Sequence, residues 1–141
     1  MAYYVYVIEL DQLKFFPPKK YRSDNPHVWD EKGKRISASE VKLFYVGQSA
    51  HKPKCRFLQH KHCFGKDIDF KCICGMKCEC CDGDHIITKN RSNPWVREHG
   101  LWLRERIYRK YNPILTYELS IDIERKIAEK IRSMGHAAYY R

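Results

Sequence analysis

Eight consecutive residues near the start of the chain, YYVYVIEL (residues 3–10), are aromatic or aliphatic apart from one glutamate. A continuous run of this kind predicts a central strand buried on both faces. Any fold the chain adopts has to cover that strand on either side. A second run, VKLFYVG (residues 41–47), predicts another strand, and Gly47 can take a turn conformation closed to other residues. The first two strands can pair antiparallel. Between them, residues 11–40 carry Pro17-Pro18, Asn25-Pro26 and Lys32-Gly33. They predict a long polar connection with a small hairpin of its own.

Pro53 suits the first turn of a helix running to about His62. Residues 63–89 break every period and form a cysteine-rich insertion. A second helix is expected over 93–111. Pro94 would lie in its first turn and Val96, Leu103 and Ile107 near one face, with Gly100 weakening the pattern. NPILTYELS (residues 112–120) predicts a short third strand. Ser120 would then cap a last helix that ends at Gly135, with AAYYR as a closing strand. The expectation is one α+β domain over 1–141, with a small mixed or antiparallel sheet and three main helices.

Hydrophobic residues make up 43% of the chain and charged residues 31%, enough apolar content for a packed core. No run of 18 apolar residues exists, which predicts no membrane span. The first residues lack the basic flank and cleavage site of a signal peptide, so a cytosolic protein is expected. The formal charge is +10, spread along the chain among ten tyrosines and three tryptophans. Basic side chains replace the counterions of a phosphate backbone, so nucleic acid is the expected partner, against the plainer reading of a generally basic protein. Neither a small-molecule cofactor nor a dimer surface is read from the sequence.

Cleaving a phosphodiester requires a group to take a proton from water, a cation on the phosphate oxygens and a metal ion on a carboxylate. Arg56 and His60, four residues apart, share one face of the helix that begins at Pro53. Tyr6 and Tyr45 lie on the strands expected to pair. For the carboxylate, Glu124 stands three, four and seven residues before Ile127, Ala128 and Ile131, at the edge of an apolar stripe. A carboxylate there is costly unless it is paired or holds a cation. Glu105 lies about 200° around its expected helix from Leu103, a solvated position, and Glu129 lies farther from the shared face.

These residues together resemble a known family. YVY (residues 4–6) and YVG (residues 45–47) look like the two paired tripeptides of the GIY-YIG nucleases. KCRFLQH resembles that family's next motif, an arginine followed four residues on by a histidine or tyrosine. IERKIAEKIRSMG resembles its later helix, which opens with the metal-binding glutamate. HGLWLRERIYRKYNP and the segment from YELSIDIE to HAAYY look like a bacterial and phage branch. The likeness covers residues 3–10, 43–62 and 95–140. Tyr4 stands where the family has its first glycine, GHAAYY replaces a frequent asparagine, and the interval between the tripeptides is longer than usual.

The resemblance implies a metal-dependent endonuclease acting on nucleic acid, with double-stranded DNA favoured. It implies that Tyr45 takes the proton from water or orients it, and that Tyr6 supports it. Arg56 would hold the scissile phosphate, His60 share proton transfer, and Glu124 bind one Mg²⁺ or Mn²⁺. Two other functions fit the same residues: a degenerate fold of this kind that binds without cutting, and a thiol-rich metal-binding protein.

Six of the seven cysteines lie between residues 63 and 81. In a reducing cytosol such clustering points to metal before disulfides. Four thiolates satisfy tetrahedral zinc, and a segment with this little apolar content would need such a staple to hold its shape. Cys72, Cys74, Cys78 and Cys80 or Cys81 are the expected ligands, with Cys63 or His85 as substitutes. Free thiols, copper(I) or an iron–sulfur cluster are the alternatives.

Overall fold

The two β-rich runs form strands, and they lie side by side at the centre of the sheet. The computed structural model describes residues 2–36, 40–62, 68–71, 84–87 and 93–140. In chain order the elements are β1 (Tyr4–Leu10), α1 (Lys19–Ser23), β2 (Leu43–Ser49), α2 (Pro53–His62), β3 (Ile68–Lys71), β4 (Asp84–Ile87), α3 (Pro94–His99), β5 (Gly100–Leu103), α4 (Glu105–Tyr108), a 3₁₀ turn (Arg109–Tyr111), α5 (Tyr117–Ser133) and β6 (Ala137–Tyr139). The fold is α+β, built on a four-stranded mixed sheet in the order β5-β1-β2-β6, with β3 and β4 paired as a separate ribbon.

β1 pairs antiparallel with both β2 and β5, and β6 joins β2 in parallel. Val5, Tyr6, Val7 and Ile8 are all buried, as a strand covered on both faces requires. In the β1–β2 register Tyr6 faces Gly47 and Ile8 faces Tyr45, so Tyr6 and Tyr45 are diagonal neighbours on one face. Phe44, Val46 and Gln48 alternate onto the other face. α2 covers the tyrosine face, where His60 meets both rings. α5 covers the opposite face, where Ile127 and Ile131 lie with Phe44 around one groove.

Five expectations are corrected. Residues 93–111 are not one helix. α3 ends at Gly100, where a Cβ would sit 2.6 Å from the Val96 carbonyl oxygen. Lys61 Nζ donates to the carbonyls of Val96, Arg97 and Gly100 at 3.4, 3.2 and 2.9 Å, closing the helix end against α2. The chain then turns into β5 because the free edge of β1 offers unpaired backbone groups, and Arg104 binds Glu9 there. Hence among the described residues only α2 and α5 are long, in place of three main helices.

Residues 112–120 are not a strand. Ile114 bridges Tyr3, and Asn112 exchanges two 2.8 Å hydrogen bonds with the backbone of Val5, finishing the edge of β1. Leu115 and Leu119 are exposed, so this run buries no strand face. Thr116, not Ser120, caps α5, accepting from the Leu119 N–H at 3.1 Å.

The interval over 11–40 contains a helix the sequence did not announce. α1 carries Tyr21 into full burial, where its hydroxyl lies 3.0 Å from both backbone groups of Phe44. Burial raises that phenol well above its usual range. Asn25 holds both backbone groups of Ala138 in β6. The small hairpin is represented by the Trp29–Arg35 bridge. No helix among the described residues is long and apolar enough to cross a membrane.

Candidate active site

β6 pairs with β2 only as far as Tyr45. Beyond that point Val46, Gly47 and Gln48 border a pocket of about 310 Å³, also lined by Tyr6, Tyr45, Arg56 and Glu124. Residues from both sides of the sheet thus meet where its edge is open. Tyr6 and Tyr45 enter from the strands, Arg56 from α2 and Glu124 from α5.

Tyr6 is held from three directions. Its ring lies over Gly47, where a Cβ would overlap the Tyr6 Oη and Cζ atoms. Glycine is needed here to give the phenol room, rather than for an unusual backbone angle. Tyr45 packs beside it with ring centroids 6.4 Å apart. Tyr6 Oη also lies 3.0 Å from Nε2 of His60, which is buried.

The other nitrogen of His60 decides what that bond is. Nδ1 accepts the backbone N–H of Asn93 at 2.9 Å. A neutral imidazole that accepts at Nδ1 carries its proton on Nε2, so Nε2–H donates to the phenolic oxygen. A second proton on His60 would break the Asn93 bond. His60 is therefore placed behind the pocket as a support for Tyr6, and it does not line the pocket. Asn93 also caps α3, accepting from Trp95 N and Val96 N at 2.9 and 3.2 Å. One residue anchors both the histidine and the next helix.

Glu124 is 3% exposed, among Ser120, Ile127, Ala128 and Ile131 on the buried face of α5. Its Oε1 is buried and accepts no hydrogen bond among the described residues. Burial pushes its carboxyl up to about 8. The carboxylate form at neutral pH accordingly requires a cation beside it. Glu105 and Glu129 are exposed. Glu129 is bonded to Arg125, which also binds Asp122.

A single buried carboxylate with an orphaned oxygen fits Mg²⁺ or Mn²⁺, which take one or two protein carboxylates and fill the remaining positions with water and phosphate oxygens. No group of three or more His, Cys, Asp or Glu gathers among the described residues, at this pocket or outside it. The zinc ligands expected at Cys63, Cys72, Cys74, Cys78, Cys80 and Cys81 lie outside the described residues. His85 is on β4, whose backbone alone is described.

The sequence missed three supports of the pocket. Ser120 Oγ donates to Gln48 Oε1 at 3.2 Å, tying the first turn of α5 to β2. Tyr117 forms a rim and meets the Tyr3 ring edge-on at 5.8 Å. Asn93 fixes His60 from 33 residues away. Only the S-x-x-x-E spacing of Ser120 and Glu124, which places both on one helix face, could have signalled any of them. Neither a family model, nor a curated protein, nor a solved structure matches this chain.

Proposed function

We propose that this chain is a metal-dependent endonuclease of the GIY-YIG type that hydrolyses phosphodiester bonds in nucleic acid, with double-stranded DNA the favoured substrate. The observation that carries the reading is the convergence of Tyr6, Tyr45, Arg56 and a buried, unpartnered Glu124 oxygen on one pocket. An ordinary packed core has no need of an orphaned carboxyl oxygen on a pocket that an arginine and two phenols also line.

In this reading Arg56 holds the scissile phosphate through its planar fork. Tyr45, as its phenolate, would take a proton from the attacking water as the new P–O bond forms, or as the phenol would orient that water for attack. The bond to the leaving oxygen breaks on the opposite side of phosphorus, and that oxygen departs as an alkoxide that takes its proton from solvent. Glu124 would hold the divalent ion, which would supply Lewis-acid stabilisation of the developing charge. Tyr6 fixes the Tyr45 side of the pocket, and the Nε2–H of His60 fixes Tyr6. His60 is thus a positioning residue in this scheme, in place of the shared proton transfer that the family likeness implies.

The thiolates of the insertion are the right donor set for one structural Zn²⁺, and we assign it to Cys72, Cys74, Cys78 and Cys80 or Cys81. The reading is tested by incubating supercoiled plasmid with the pure protein. Nicked or linear product should form with Mg²⁺ or Mn²⁺ and not with chelator. Tight binding with no product under either metal would favour a chain that binds without cutting.

A further inference from the structure

A second groove, of about 320 Å³, lies along the C-terminal half of α5, beyond Glu124. Lys42, Arg104, Arg106, Lys110 and Lys130 surround it. Its floor is apolar, made by Phe44, Ile107, Ile127 and Ile131, and Tyr111 and Met134 stand at its walls. Arg104 is neutralised by Glu9. Among the described residues Lys42, Arg106, Lys110 and Lys130 pair with no carboxylate. The outer face of α5 handles its charges differently. There Asp122 and Glu129 bind Arg125, and Asp122 also binds Lys126. Glu40 and Glu9 act on His136 at the groove, and Glu105 stands between Arg104 and Arg106 at its outer side.

Four unneutralised cations around an apolar floor match a sugar–phosphate backbone. The cations meet phosphates and the floor takes the apolar face of the sugars. Lys130 is six residues beyond Glu124 on α5, about 9 Å along the axis. A duplex presents one phosphate charge for about every 1.7 Å of its axis, so a strand crossing the Glu124 pocket can also reach this groove. We propose that the groove is a second nucleic-acid contact, which seats backbone phosphates of the bound duplex on Lys42, Arg106, Lys110 and Lys130. The proposal rests on the nuclease reading for its ligand. It assigns to the groove affinity and register, and no chemistry.

The test compares two triple variants of equal charge loss. One is Arg106→Gln, Lys110→Gln, Lys130→Gln in the groove. The other is Lys14→Gln, Lys32→Gln, Lys34→Gln, at exposed positions outside it. Binding to a labelled duplex of about 30 base pairs is read by fluorescence anisotropy in metal-free buffer, between about 50 and 200 mM salt. The groove variant should flatten the slope of log affinity against log salt by about 2–3, since each lost phosphate contact removes about 0.9. The control should change it by less than about 1. Arginine at all three groove positions should keep the parent slope. Equal effects of the two triples, or no effect of the groove triple, overturn the proposal. So does tight binding of ATP that depends on the groove while duplex binding does not, because a free nucleotide would then be the ligand. Plasmid cleavage separates this from the nuclease reading. Cleavage with equal slopes removes the groove alone, and groove-dependent binding without cleavage removes the nuclease alone.

Discussion

Glu124 gives a stability measurement that is independent of any substrate. Its carboxyl ionises near 4.5 when the chain is unfolded and near 8 when it is folded without a cation. Between those values the folded chain keeps a proton that the unfolded chain releases. Stability therefore falls as pH rises through that window, and the loss is complete above about 8. The ceiling is about 5 kcal/mol, from the size of the shift. Water admitted by the adjoining pocket screens part of it, leaving roughly 2–3 kcal/mol. Urea denaturation in chelator at several pH values from 5 to about 8.5 reads this directly. Relative to Glu124→Gln, the parent midpoint should drop by about 1–2 M urea across the range. The difference between the two proteins cancels the other titrating groups. Added Mg²⁺ at the upper pH should restore the parent and leave the variant unmoved, because only the carboxylate gains a partner. Parallel curves for the two proteins would mean that Glu124 is ordinarily solvated, and the argument for a cation at this site would fail.

Three further outcomes are expected. Gly47→Ala forces a methyl against the Tyr6 phenol, which should cost about 1–3 kcal/mol in a denaturation experiment and lower cleavage at least tenfold; an unchanged midpoint would show that the ring can move freely. His60→Phe removes one hydrogen-bond partner each from Tyr6 Oη and the Asn93 N–H, a loss of roughly 2–4 kcal/mol by urea titration, and should lower cleavage without moving the acid limb of its pH profile. A shift of that limb in a milder variant, His60→Gln, would return the histidine to proton transfer. Native mass spectrometry should find one zinc per chain, removable by acid, and Cys74→Ser should make residues 63–89 sensitive to protease; a metal-free chain, and a variant that resists protease like the parent, would count against the staple.

Much of the site was legible because it lies on strong local patterns. The runs holding Tyr6 and Tyr45 are β-branched and aromatic enough to fix their strands. The burial of Glu124 was legible because Ile127, Ala128 and Ile131 mark the buried face of its helix. The misreadings come from places where tertiary contacts outweigh local preference. Lys61 and the bare edge of β1 end α3 and turn residues 100–103 into a strand. Residues 112–120 read as a short strand entered through Pro113, whereas Thr116 capping and the Ser120–Gln48 bond start a helix. Tyr21 and Asn25 sit in a polar, proline-rich interval with no periodicity. Their role appears only in the backbone groups of Phe44, Ala137 and Ala138 that they satisfy from far along the chain.

Single-turnover cleavage of an end-labelled duplex tests the central claim most directly, with parent and Glu124→Gln assayed beside metal-free binding of the same duplex. With Mg²⁺ the parent should convert the duplex to shorter product. The glutamine variant should be slower by at least about 10²-fold while its metal-free affinity stays within a few-fold of the parent. Cleavage by Glu124→Gln at the parent rate, or no cleavage by the parent with either Mg²⁺ or Mn²⁺, would contradict the account.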